Sequence, residues 1–409
     1  MIILCFIYLS QSERRGACSS TPMIIRQPLF ILPSLGILCF LAYSVLFPEQ
    51  LQVLIFPATS SGGNGQPAAC DYSQGKWIPD STPPLYNDSC RIITHYQRCT
   101  GNGRPDSDYV YWRWQPNDCS LPRFEPEKVL GLLANKHVAF HGDSLSRNQM
   151  ESLVCMLGSV SSPESSSYGL WFFPSHNLTV SYLWSPFLVQ RKERAISSFT
   201  ALYLDQADGN FTAGLPSFDV LVLSTGRWFD TSYVIFDSED RIVGCHLLTA
   251  TFNCTEVGHY EGYRTTLQTT LAAINSSAVG DRELQVIFQT FSPSHFDGDW
   301  DKNGRCPITK PYKEGEFEMS SKDKMMREIL IDEVEARKSQ PHREKISFEL
   351  LDLTYLSALR PDAHPGAYGR HDPFADGKDV RTLSDCVHWC MPGIVDTWND
   401  IFAAKLKRL

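Results

Sequence analysis

The sequence predicts an α/β protein: a parallel sheet flanked by helices, preceded by a cysteine-rich, loop-rich cap and an N-terminal membrane anchor. Three observations carry this. From residue 129 onward, short apolar runs alternate with helical stretches. Residues 70–126 are instead dense in Cys, Pro, Trp and Tyr. Ahead of both lies a long apolar segment, Leu29 to Phe47.

The alternating region supplies the sheet. Val138–His141, Val220–Ser224, Val286–Thr290 and Phe348–Leu353 are apolar enough for strands buried on both faces. Helical patterns cover Leu145–Leu157, Tyr263–Ile274 and Lys324–Ala336. Strands and helices in alternation give a parallel sheet with helices on both faces. Ligands of such sheets sit at the carboxyl ends of the strands.

The cap has Cys70, Cys90, Cys99 and Cys119 as candidate staples. Within it, Tyr109–Trp114 alternates aromatic with smaller residues, as a strand or a sugar-stacking surface would. Ser60–Pro67 has linker composition, so residues 49–69 are expected to be a stem.

Leu29–Phe47 approaches the ~20 apolar residues that span a bilayer as a helix. Arg14, Arg15 and Arg26 precede it and Glu49 follows, which puts the N-terminus in the cytosol. A cleaved signal peptide would have a shorter apolar core. The expected order is a cytosolic tail (1–28), a transmembrane anchor (29–48), the stem, the cap segment (70–126) and a catalytic domain (127–409). Of 13 cysteines, Cys5, Cys18 and Cys39 lie in or before the anchor, leaving an even ten beyond it. Sequons at Asn87, Asn177, Asn210, Asn253 and Asn275 fit the same oxidising, glycosylating compartment. The net charge of −9 argues against a nucleic-acid partner, which requires a basic face.

The chemistry is expected at the end of the first strand, Phe140-His141-Gly142-Asp143-Ser144. A serine on a tight strand-to-helix turn meets backbone N–H groups and the positive end of the helix dipole. That suits an acyl-transfer nucleophile, although Asp and Ser are also ordinary helix caps. The base is sought among few histidines. Only His388 of the C-terminal region has a carboxylate three residues before it, in Asp385-Cys386-Val387-His388-Trp389-Cys390. A zinc site on Cys386, His388 and Cys390 is the rival use of this segment; no metal is expected, because an oxidising lumen favours disulfides.

An early Gly-Asp-Ser and a late Asp-x-x-His resemble the SGNH/GDSL hydrolases. The match is closer to the plant trichome-birefringence-like polysaccharide O-acetyltransferases, over about residues 70–407. It rests on Gly75–Asp80, Gly103-Arg104-Pro105-Asp106, Tyr111–Pro116, Leu121–Phe124, Gly142–Gln149 and Asp385–Gly393. Phe172–Asn177 and Trp184–Leu188 resemble the branch with xyloglucan and mannan acetyltransferases.

The resemblance implies an SGNH-like sheet and a type II, single-pass Golgi membrane protein with its catalytic domain in the lumen. It implies Ser144 as nucleophile, His388 as base and Asp385 as its orienter. Implied disulfides are Cys70–Cys119, Cys90–Cys155, Cys99–Cys390 and Cys306–Cys386; Cys245 and Cys254 remain, close enough for a local bridge. The acceptor is expected to be xyloglucan, then mannan. No bound cofactor is expected, and the acetyl donor is expected to be acetyl-CoA or an intermediate derived from it. A departure occurs at Ser224-Thr225-Gly226-Arg227-Trp228, where the family often has Asn-Thr-Gly-His-Trp. The oxyanion hole is therefore assigned to the Ser144 and Gly226 amides. Arg147 and Asn148 are candidates to face the cleft, and Asp362 and His364 to contact the acceptor. Two rival functions are an acetyl-esterase using the same triad and a non-catalytic wall-polysaccharide-binding protein.

Overall fold

The structure is a computed structural model. It describes residues 70–406 apart from residue 168 and segments 194–198, 278–281, 300–303, 341–344 and 375–383. The expected anchor and stem lie outside the described residues. Among the described residues no helix is long and apolar enough to cross a membrane.

In chain order the strands are β1 (Gly75–Pro79), β2 (Trp112–Pro116), β3 (His137–Gly142), β4 (Glu164–Ser167), β5 (Leu170–Phe173), β6 (Leu178–Trp184) and β7 (Val189–Glu193). There follow β8 (Thr200–Ala207), β9 (Val220–Ser224), β10 (Tyr233–Phe236), β11 (Ile242–His246), β12 (Leu284–Gln289) and β13 (Ile346–Leu351). Four long helices are α1 (Ser144–Gly158), α2 (His259–Ser276), α3 (Ser321–Ser339) and α4 (Ile394–Lys405).

The main sheet has seven strands in the order β13-β12-β9-β3-β6-β5-β4. The first five are parallel to their neighbours, while β5 and β4 add an antiparallel edge. The sheet is therefore mixed rather than purely parallel. Side chains alternate across it as the strand pleat requires. Val138 and Phe140 pack with Leu145, Leu153, Trp398 and Phe402 of α1 and α4. Ala139, Leu221 and Phe288 pack on the other face with Leu267, Leu271, Ile329 and Val334 of α2 and α3. Each such buried Leu or Phe contributes about 1.5–3 kcal/mol.

A second, four-stranded sheet, β11-β10-β8-β7, was not anticipated. β7 is polar, Val-Gln-Arg-Lys-Glu, and the apolar run of β10, Tyr-Val-Ile-Phe, is only four residues long. The cap forms the two-stranded β1–β2 sheet. Of the Tyr109–Trp114 segment, Tyr109 and Val110 lie in a 3-10 turn and Trp112–Trp114 in β2; Trp114 is fully buried against Trp77 at 5.5 Å, so the sugar-stacking alternative fails for that ring.

Five disulfides are present: Cys70–Cys119, Cys90–Cys155, Cys99–Cys390, Cys245–Cys254 and Cys306–Cys386. Asn87, Asn177, Asn210 and Asn253 are exposed, whereas Asn275 is half-buried in α2.

Candidate active site

β3 is the middle strand of the main sheet, and its carboxyl end is shaped by Gly142. A Cβ there would lie 1.9 Å from the Ser224 carbonyl oxygen, which only glycine avoids. The close approach lets the Asp143 amide donate to the same carbonyl at 3.3 Å. Asp143 then caps α1, its carboxylate accepting from the Leu145 amide at 2.9 Å. Burial raises the Asp143 carboxyl to about 6 against the opposing pull of that hydrogen bond. Ser144 is thus the first residue of the helix. Its amide has no intrahelical acceptor, as helix geometry dictates.

Ser144 and the C-terminal turn meet across the chain. Ser144 Oγ lies 2.6 Å from His388 Nε2, and His388 Nδ1 lies 2.8 Å from Asp385 Oδ2. Asp385 Oδ1 also accepts from the amides of Val387 and His388, at 3.1 and 2.9 Å. Burial would raise the Asp385 carboxyl. The His388 charge and these hydrogen bonds outweigh it and hold the group down at about 2. An ionised carboxylate on Nδ1–H leaves Nε2 as the lone-pair nitrogen facing the hydroxyl, the tautomer that can accept its proton.

Much of the surrounding structure holds this turn. Cys386 and Cys390 are tied to Cys306 and Cys99. Their sulfurs are therefore not free as the thiolates a zinc site needs. Asp385 and Gly366 exchange both backbone hydrogen bonds at 2.9 Å. Asn148, fully buried, takes the Trp389 amide on Oδ1 at 3.1 Å and reaches the Trp389 carbonyl with Nδ2 at 3.5 Å. It does not face the cleft, because both polar ends are used on the residue after the histidine.

Arg147 reaches across α1 to Glu151 at 3.8 Å and hydrogen-bonds the Tyr96 hydroxyl. The Tyr96 ring packs against the His388 ring at 5.3 Å. Sequence reading passed over Tyr96, which sits in a short turn with no family-like motif around it.

Asp362 and His364 are buried. Arg360 donates to both Asp362 oxygens, at 2.8 and 3.0 Å. His364 stacks on Trp389 at 3.9 Å, and its Nδ1 lies 2.7 Å from the His388 carbonyl oxygen. Its Nε2 lies 2.7 Å from His295 Nδ1, and His295 Nε2 lies 2.8 Å from the Ala358 carbonyl oxygen. Burial holds both imidazoles below the ordinary histidine range. Two neutral rings carry one proton each, so they fill two of these three contacts at a time. Arg104, from the Gly-Arg-Pro-Asp motif, clamps the same loop by donating to the Asp362 and His364 carbonyls at 2.8 and 2.9 Å.

Gly226 follows β9 with φ +140°, a left-handed backbone in which a Cβ would meet Phe291 at 2.9 Å. Among the described residues its amide donates to no protein acceptor. Neighbouring Arg227 turns away from the strand end to the Ser292 carbonyl at 3.2 Å and Asp230 at 3.7 Å.

A hydroxyl at a helix N-terminus, an imidazole within hydrogen-bond reach and a carboxylate behind it define the class of serine enzymes that handle acyl groups. The chain belongs to the "GDSL/SGNH-like Acyl-Esterase family found in Pmr5 and Cas1p", whose model matches residues 121–405; the "PMR5 N terminal Domain" matches residues 68–120. Xyloglucan O-acetyltransferase 1 of Populus trichocarpa is 46% identical over 352 residues, covering 83% of this chain and 82% of that one. Xyloglucan O-acetyltransferase 1 of Arabidopsis thaliana is 45% identical over 349 residues, covering 83% and 80%. Protein trichome birefringence-like 26 of Arabidopsis thaliana is 41% identical over 373 residues, covering 88% and 83%.

Proposed function

We propose that this chain transfers acetyl groups to hydroxyls of a cell-wall polysaccharide, xyloglucan first and mannan second, through Ser144, His388 and Asp385. The observation that carries the reading is the unbroken series of short contacts from Ser144 Oγ through His388 to Asp385. The kinship to xyloglucan O-acetyltransferases supports the acetyl group and the acceptor.

The scheme has two halves. His388 Nε2 takes the Ser144 proton as Oγ attacks the acetyl carbonyl of a donor, acetyl-CoA or an intermediate derived from it. The tetrahedral oxyanion faces the Ser144 and Gly226 amides. His388 gives its proton to the departing thiol or alcohol, leaving acetyl-Ser144. His388 next takes a proton from a sugar hydroxyl, whose oxygen attacks the ester carbon. The serine leaves and recovers its proton, and the sugar carries the new ester. Each lost oxyanion donor costs about 3 kcal/mol of transition-state stabilisation in such sites.

The charge-flanked apolar segment at 29–48, the disulfides and the exposed sequons support a membrane protein with one anchor and a lumenal catalytic domain, and the family resemblance points to the Golgi. The deciding experiment incubates the glycosylated lumenal domain with an acetyl donor and unacetylated xyloglucan oligosaccharide. Mass spectrometry is expected to show acetylated sugar with the parent and none with Ser144→Ala. Full transfer by that variant rules out an acetyl-serine.

A second reading is favoured by the family's description as acyl-esterases: the same residues deliver the acetyl group to water. Free acetate with no sugar ester, at saturating oligosaccharide, selects it.

A further inference from the structure

Two tryptophans flank the nucleophile's strand. Trp184 is the last residue of β6 and the register partner of Gly142. On the other side Gly142 is paired with Ser224 of β9, and Trp228 follows four residues later on the short turn Arg227–Asp230. Neighbouring strands are about 4.8 Å apart, so Trp184 starts from backbone adjoining the strand that delivers Ser144, and Trp228 from the turn that follows the strand on its other side.

The indoles converge. Trp184 packs against the core on the α1 side of the sheet, Trp228 against the core on the opposite side. They nevertheless touch edge to face, with ring centroids 5.4 Å apart and planes at 85°. Side chains from opposite faces can meet only beyond the end of the sheet. The pair therefore sits over the end of β3, where Ser144 begins α1. Its backbone is fixed: the Ser185 amide donates to the Gly142 carbonyl at 2.9 Å, and Thr231 donates to the Trp228 carbonyl through its amide and its hydroxyl at 3.1 and 2.7 Å.

Their polar edges are free, in contrast to the core tryptophans. Trp77, Trp114, Trp389 and Trp398 each donate Nε1–H to a protein oxygen. Among the described residues the Nε1–H of Trp184 and of Trp228 donates to no protein oxygen, and neither nitrogen is buried. An indole with an apolar body and an open N–H suits a ligand with one apolar face and hydroxyls at its rim. A pyranose has that form: its axial C–H bonds make the face, its equatorial hydroxyls the rim.

We infer that Trp184 and Trp228 form an acceptor subsite that stacks a neutral pyranosyl unit of the polysaccharide next to the hydroxyl presented to Ser144. The inference rests on the acetyl-transfer reading above and assigns the side from which its acceptor enters.

The test separates the two halves of the reaction. Trp184→Ala and Trp228→Ala are compared with the parent in forming acetyl-enzyme from p-nitrophenyl acetate, then in transfer to unacetylated xyloglucan oligosaccharide. Acetyl-enzyme formation is expected to stay within about twofold, while KM for the oligosaccharide rises about tenfold. An unchanged KM in both variants overturns the subsite. Trp184→Phe and Trp228→Phe, which keep a ring, guard against loss of fold. They also assign the two indole N–H signals of the parent by NMR. Those signals are expected to shift on titration with the oligosaccharide, and signals that stay put count against the subsite even where a variant misfolds. If the parent itself makes no sugar ester yet hydrolyses p-nitrophenyl acetate, the acetyl-transfer reading fails instead, an outcome distinct from a subsite failure.

Discussion

Asn148 on the nucleophile's helix holds the peptide of Trp389, the residue after the candidate base, by accepting its amide at 3.1 Å and reaching its carbonyl at 3.5 Å. The serine and the histidine thus share a rigid brace four residues after one and one residue after the other. Asn148→Ala leaves a buried amide unpaired, a cost of about 1–3 kcal/mol. The expected result is a fall of roughly tenfold or more in kcat with KM for the acceptor little changed. A KM rise at constant kcat would place Asn148 in substrate binding instead.

Asp385 is held down at about 2, so it stays ionised throughout the working range. The activity profile between pH 4 and 9 is expected to show no step from it. Its folded value lies below the ordinary carboxyl value. The stability it adds is therefore present above about pH 4 and lost as pH falls through 2. Asp385→Asn keeps the shape but favours the wrong imidazole tautomer. Loss of the orienting carboxylate in a serine triad costs on the order of 10⁴ in kcat. Acetyl-enzyme formation at near-parental rate in this variant would remove Asp385 from the scheme.

Asp400 behaves oppositely. It accepts the Phe124 amide at 3.0 Å; burial first, and the charge of Asp396 second, raise its carboxyl to about 8. An unfolded carboxyl titrates near 4. Between about pH 4 and 8 the folded state binds the extra proton, so stability declines as pH rises through that window and levels off above it. Asp400→Asn retains the acceptor and removes the charge. Its Tm is expected to exceed the parent's at pH 8 and to match it at pH 4. Equal melting at both pH values would deny the shift.

Cys306–Cys386 pins the Asp385–His388 turn to a segment 80 residues earlier. Replacing both cysteines by serine is expected to lower unfolding stability by about 2–4 kcal/mol. Because the tether is attached beside the base, acetyl-enzyme formation is expected to fall well below the parent at temperatures where the variant is still folded. Parental rates there would show that the other braces suffice.

The central strands were legible because burial on both faces turns them into apolar runs, as at Val138–Phe140 and Val220–Leu223. β5 and the second sheet were not: Leu170–Phe173 and Tyr233–Phe236 are apolar but only four residues long, too short to show a period, while β7 and β8 mix polar residues into the run. At the site, Gly-Asp-Ser and Asp-x-x-His are local patterns and could be seen. What positions them is not local. Asn148 acts on Trp389 at a separation of 241 residues, and Arg104 acts on His364 at 260. No spacing rule in one chain reports such contacts. The protein partners of Asp362 and His364, Arg360 for one and His295 and Trp389 for the other, cannot be read from residue type either.

The bond between Cys99 and Cys390 spans 291 residues. On a ribosome, Ser144 emerges long before Asp385 and His388, the latter 244 residues further on. In the proposed scheme, until those positions have been synthesised and the disulfides closed, the serine lacks its base and is an ordinary alcohol. That scheme withholds reactivity from the nascent chain until the distant turn is tethered in place.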